Sequence, residues 1–121
     1  MQRLFILVAL VAVATSTMVA SASGRLSVTP KLNGTVGPGF TINLTKSGQK
    51  VKLLKAGSYL FVVADRSSIH NFTLQPWTGG ASSKQLTSTP FQGTKSITVK
   101  LGKGKWEYFC SVHKSDRKSV V

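Results

Sequence analysis

Cys110 is the only cysteine of the chain, and it sits three residues before one of its two histidines, in Tyr108-Phe109-Cys110-Ser111-Val112-His113; the other histidine is His70. An exported protein ordinarily pairs its cysteines, so a lone thiol beside an imidazole points to chemistry rather than to a disulfide. A soft thiolate with two imidazoles is the donor mix that suits copper, and three such donors in a trigonal set make a blue-copper centre. The bland alternative is a buried free cysteine near two incidental histidines.

Strand alternation shows where these donors point. In Ile69-His70-Asn71-Phe72-Thr73-Leu74 the imidazole shares a face with Phe72 and Leu74, and in residues 105–110 the thiol shares a face with Trp106 and Tyr108. Both donors therefore start from the apolar side of a strand. Burial there disfavours a thiolate unless a positive partner holds it, and a metal ion is such a partner. Cys110 and His113 cannot meet at one point from a single extended strand, so Ser111-Val112 is expected to form a turn, with His70 completing the site from a neighbouring strand.

The elements that would carry these residues are strands. Phe40, Ile42 and Leu44 alternate with Thr41, Asn43 and Thr45, and Ile97, Val99 and Leu101 alternate with Ser96, Thr98 and Lys100, so each run predicts a half-buried strand. Tyr59 to Val63 is a continuous apolar run, which predicts a central strand buried on both faces. Gly37-Pro38-Gly39, Ser47-Gly48 and Gly102-Lys103-Gly104 supply turns. Residues 75–90 are rich in proline, glycine and serine and read as a long surface connection. No convincing helix follows the N-terminal segment. The expected fold is all-β, an antiparallel Greek-key β-sandwich.

Residues 1–22 read as a signal peptide, with Arg3, an apolar run from Leu4 to Ala14 and small residues at Ala20-Ser21-Ala22. The competing reading is an uncleaved anchor. Cleavage would leave residues 23–121 as one small domain, exported to a periplasmic or extracellular space, with no stable membrane span and monomeric.

The formal charge is +13, with 16 lysines and arginines against three acids, Asp65, Glu107 and Asp116. Such a balance bears on solubility and partners rather than on fold. It fits an acidic redox partner protein or an anionic envelope surface. The basic residues are scattered over strand-like segments without a basic helix or an aromatic ladder, which argues against nucleic acid.

The segment at residues 57–74, with its His-Asn-Phe, resembles the first ligand region of the plastocyanin/azurin-like cupredoxins, and residues 104–118, with Tyr-x-Cys-x2-His, resemble their second ligand loop. Together with residues 37–51 the similarity covers about half of residues 23–121. The resemblance implies a β-sandwich that binds one copper ion, cycling between Cu(I) and Cu(II), and passes single electrons. It also implies His70, Cys110 and His113 as equatorial ligands, with Asn71 and Ser111 bracing the two ligand loops. Asn71 begins one of three Asn-x-Ser/Thr sequons, with Asn33 and Asn43, and a glycan on it would be incompatible with that bracing.

The chain departs from the family at one position. The weak axial methionine expected four residues after the second histidine is replaced by Arg117, and the two methionines, Met1 and Met18, both lie in the leader. An arginine stays protonated and cannot ligate. Three outcomes are open: a trigonal site with at most a distant carbonyl such as that of Ile69, an open site with axial water, or loss of copper. Lys114, Arg117 and Lys118 form either a solvated rim or a docking patch beside His113.

Three functions follow from these outcomes: an exported electron carrier, a copper storage or delivery protein, or a metal-free interaction module. An enzyme is not expected. A Cys-His nucleophile would need an oriented base and an oxyanion site, multicopper oxidation would need more histidines, and structural zinc normally takes four protein donors.

Overall fold

The computed structural model describes Val19, Ser21 and residues 23–78, 83–113 and 118–120, the last three as a strand backbone. Most of the expected leader, with Lys114, Asp116 and Arg117, lies outside the described residues.

The described residues form strands and no helix. In chain order these are β1 Lys31–Val36, β2 Ile42–Lys46, β3 Gln49–Lys50, β4 Gly57–Asp65, β5 Phe72–Pro76, β6 Lys84–Thr87, β7 Gly93–Leu101, β8 Trp106–Phe109 and β9 Lys118–Val120. Two sheets are built from them, one in the order β3-β2-β1-β4-β7 and the other β6-β5-β8-β9. The fold is an all-β sandwich, as the alternation implies.

It is not purely antiparallel. β1 lies parallel to β4, pairing Lys31 with Leu60 through to Val36 with Asp65, while the other pairs are antiparallel. Alternation sets which face of a strand is apolar but carries no direction for its partner.

The inward faces of both sheets meet in one core. Leu32 and Val36 of β1, Ile42 and Leu44 of β2, Tyr59, Phe61 and Val63 of β4, and Val99 and Leu101 of β7 come from one sheet, with Phe72, Leu74, Leu86 and Tyr108 from the other. Phe72 and Tyr108 stack with ring centroids 5.5 Å apart and planes 2° from parallel. The Phe72 ring presses against the backbone of β1 at Gly34, where a Cβ would stand 3.0 Å from Phe72 Cε2 and 3.2 Å from Val63 Cγ2. An alanine there would require Phe72 and Val63 to give by a few tenths of an ångström.

Three elements differ from expectation. β4 buries only alternate residues, and Leu60, Val62 and Ala64 on its other face are half-exposed, so it is interior to its sheet but covered on one side. Phe40 lies outside β2 and is 66% exposed, because the Gly37-Pro38-Gly39 bend ends the alternation before Ile42. The connection expected at residues 75–90 contains β6, where Leu86 and Thr87 are buried.

Candidate metal centre

The three donors gather at one end of the sandwich. β4 and β8 both run toward this end, β4 finishing at Asp65 and β8 at Phe109, next to Cys110. Side-chain turns shape the passage from β4 to His70: Asp65 Oδ1 accepts the Ser67 N–H at 3.1 Å, and Ser67 Oγ accepts the Ile69 N–H at 3.3 Å. Aspartate and serine favour such local bonds over extending the strand. The Arg66 N–H bonds to Val36 O at 2.8 Å, which ties this loop to the β1–β2 bend.

Beyond β8 the chain turns as Ser111-Val112 predicts, with the His113 N–H donating to Cys110 O at 3.2 Å. The turn brings His113 back over Cys110. Cys110 Sγ lies 3.7 Å from His113 Nδ1, and His113 Nδ1 lies 2.9 Å from His70 Nδ1. One ligand atom from each of the three residues falls within 4.8 Å of the others. Bonds of roughly 2.0–2.3 Å to a common ion in a trigonal set span edges of about 3.5–4 Å, which the Cys110–His113 edge matches, while the imidazole–imidazole edge is shorter. His70 and Cys110 are buried, at 2% and 1% exposure, and His113 is half-exposed. A hydrogen bond between two imidazoles would account for the short contact alone, but not for a thiol at the third corner.

Asn71 locks the two loops together. Its Nδ2 donates to Ser111 Oγ at 2.7 Å, and its Oδ1 accepts the Ser111 N–H at 2.9 Å and the Thr73 hydroxyl at 3.0 Å. Its own backbone N–H points at Cys110 Sγ at 3.4 Å, which ties the first loop to the thiol itself. Asn71 is 2% exposed, so the folded chain does not present it for glycosylation. The backbone beside it is held by β6, where Thr87 Oγ1 accepts the Phe72 N–H at 2.9 Å across a register irregularity.

One member of the site was not expected. The ring of Phe40 stands edge-on to both imidazoles, its centroid 5.1 Å from each, at 76° to His70 and 81° to His113. Gly37 makes this possible, with φ of +68° and a position whose Cβ would meet Ser67 Cβ at 3.1 Å. Thr41 closes the bend through its hydroxyl to Pro38 O at 3.0 Å. The signal available in the sequence was the glycine-proline-glycine bend, which releases Phe40 from the strand.

The two acids nearest in sequence to these elements do not join the donor cluster. Asp65 is 2% exposed and serves the loop turn, and Glu107 is 2% exposed on β8, where it accepts from Gln75 Nε2. Arg117, the residue at the family's axial position, and Lys114 lie outside the described residues.

The fold and the site thus define an all-β sandwich with a His2Cys donor cluster at one end, able to hold a metal ion. No protein-family model matches the chain, and no curated protein matches it. The cupredoxin likeness rests on the residues themselves.

Proposed function

We propose that this protein is an exported blue-copper protein of the cupredoxin kind that carries single electrons. The observation that carries the reading is the convergence of His70, Cys110 and His113 within 4.8 Å. The donor chemistry fits copper: sulfur with two imidazoles is soft enough, and three protein donors fall short of the four of a structural zinc site. Copper bound there would supply one-electron redox chemistry without a proton to move.

The chain's own residues support that chemistry in two ways. Asn71, Ser111 and Thr73 fix the two donor loops, so the ligands keep their positions whichever charge the site carries, and bracing of this kind tunes affinity and potential. His113 is the half-exposed donor, neighboured by the exposed apolar side chains Phe40, Ile69 and Val112. That rim suits a brief apolar contact with a partner, with His113 as the route for the electron.

The test is a visible spectrum of the full chain titrated with copper(II). An intense thiolate-to-copper band toward the red, abolished by Cys110→Ser, is expected. No band, with the Cys110 thiol still reactive, would overturn the reading. The half-exposure of His113 also favours a second reading, copper storage or delivery; loss of bound copper to a chelator within seconds, without reversible redox, would support it over electron transfer.

A further inference from the structure

The end of the sandwich opposite the donor cluster carries a surface that the metal site does not use. Two adjoining clefts, of about 160 and 760 Å³, share Leu54, Lys55 and Ala56. They lie at the Gly57 end of β4 and the Trp106 end of β8, whereas Cys110 and the loop to His70 follow the other ends of those strands. With about 3.3 Å per residue, β4 sets the two ends roughly 25 Å apart.

Apolar and cationic groups are interleaved on this face. Leu53 is 76% exposed and Trp77 53% exposed, while Lys46, Lys55 and Lys103 line the clefts. Lys105 Nζ stands 3.7 Å from the centroid of the Trp77 ring, and the Trp77 N–H bonds to Lys105 O at 2.8 Å, so charge and aromatic surface are presented together. Among the described residues no exposed acidic side chain balances them, since Asp65 and Glu107 are both buried.

We infer that this end of the molecule docks on an anionic lipid membrane surface. Lysines attract the acidic headgroups, and exposed leucine and tryptophan side chains sit at headgroup depth, where tryptophan is enriched. An acidic polysaccharide would use the lysines but gain nothing from Leu53. Nucleic acid would call for a succession of exposed aromatic platforms. Seated this way, the protein turns His113 away from the membrane. The inference rests on this face alone and stands or falls independently of the metal.

The chain's two tryptophans, Trp77 and Trp106, both belong to this end, so their fluorescence reports on it directly. The full chain is mixed with phosphatidylcholine vesicles, with or without phosphatidylglycerol, and with vesicles carrying brominated acyl chains. Binding to the phosphatidylglycerol vesicles alone is expected, with a blue shift and quenching by bromine. At about fivefold per lysine, the double variant Lys55→Gln, Lys103→Gln should bind roughly 25-fold more weakly, and Leu53→Asn several-fold more weakly. Residues 4–22 are common to every variant. If all variants bind equally and the tryptophans stay unquenched, another segment holds the membrane and the inference fails. It fails equally if the chain prefers heparin to the vesicles and Leu53→Asn changes nothing.

Discussion

At the scale of single residues, two contacts decide how closed the donor cluster is. Phe40 is 66% exposed, so burial of its ring adds little to folding stability. Its edge contacts to His70 and His113 are worth about 0.5–1.5 kcal/mol each where both rings are fixed. Phe40→Ala is therefore expected to cost about 1 kcal/mol in denaturant unfolding while a chelator removes copper about tenfold faster. Asn71→Ala should cost the fold more. It strips the buried Thr73 hydroxyl and both Ser111 groups of a partner, which costs about 2 kcal/mol in denaturant unfolding, and copper affinity in a competition titration should fall about 10–100-fold. The donors themselves were legible in the sequence, because a lone cysteine, a three-residue offset and strand alternation are all local signals. Phe40 was not, since its spacing from Ile42 and Leu44 is that of a strand; only the three-dimensional bend turns it back over the imidazoles.

At the scale of elements, the site is a joint between loops more than a feature of any strand. The bend after β1 reaches the loop after β4 through Gly37, whose left-handed φ and close approach to Ser67 exclude a side chain. Gly48, in the β2–β3 turn, has a φ of +78°, but a Cβ there would meet nothing within 4 Å. Alanine at either position forces about 1–2 kcal/mol of left-handed strain, so Gly48→Ala should lose about that much stability in urea and Gly37→Ala more, through its added contact with Ser67. Only Gly37→Ala is expected to shift the absorption band and speed copper release, because only there does the strain displace Phe40. β2 and β7 were legible from their period of two, and β4 from its apolar run, although that run hid the half-exposed outer face. The parallel pairing of β1 with β4 was not, because a parallel partner arrives from a distant crossover and leaves no turn signal between the two. β6 was hidden for a similar reason: its short Lys84–Thr87 run lies among prolines, glycines and serines, and its burial comes from packing beside β5.

At the scale of the whole molecule, the charge pattern and the core respond to pH in opposite senses. With both described acids buried, the lysines repel one another without exposed carboxylates to offset them, and raised salt should therefore stabilise the fold. Raising the pH toward the lysine range removes the same repulsion. Tyr108 works against that gain. Burial pushes its phenol above the ordinary value of 10.0, with a hydrogen bond to the Leu44 backbone pulling the other way. Below pH 10 the phenol is protonated in both folded and unfolded chains and contributes no pH dependence. Above it the unfolded chain releases the proton first, so stability falls, by up to about 1.4 kcal/mol per pH unit until the folded phenol also ionises. Tyr108→Phe keeps the stack on Phe72 and loses only the hydroxyl and its bond, about 1 kcal/mol at neutral pH. In urea unfolding from pH 7 to 11, the wild-type advantage over Tyr108→Phe is expected to be constant up to pH 10 and to shrink above it, while the lysine contribution, shared by both chains, cancels from the difference. A gap that stayed level through pH 11 would mean that Tyr108 ionises as freely in the folded sandwich as in water, against its place between the two sheets.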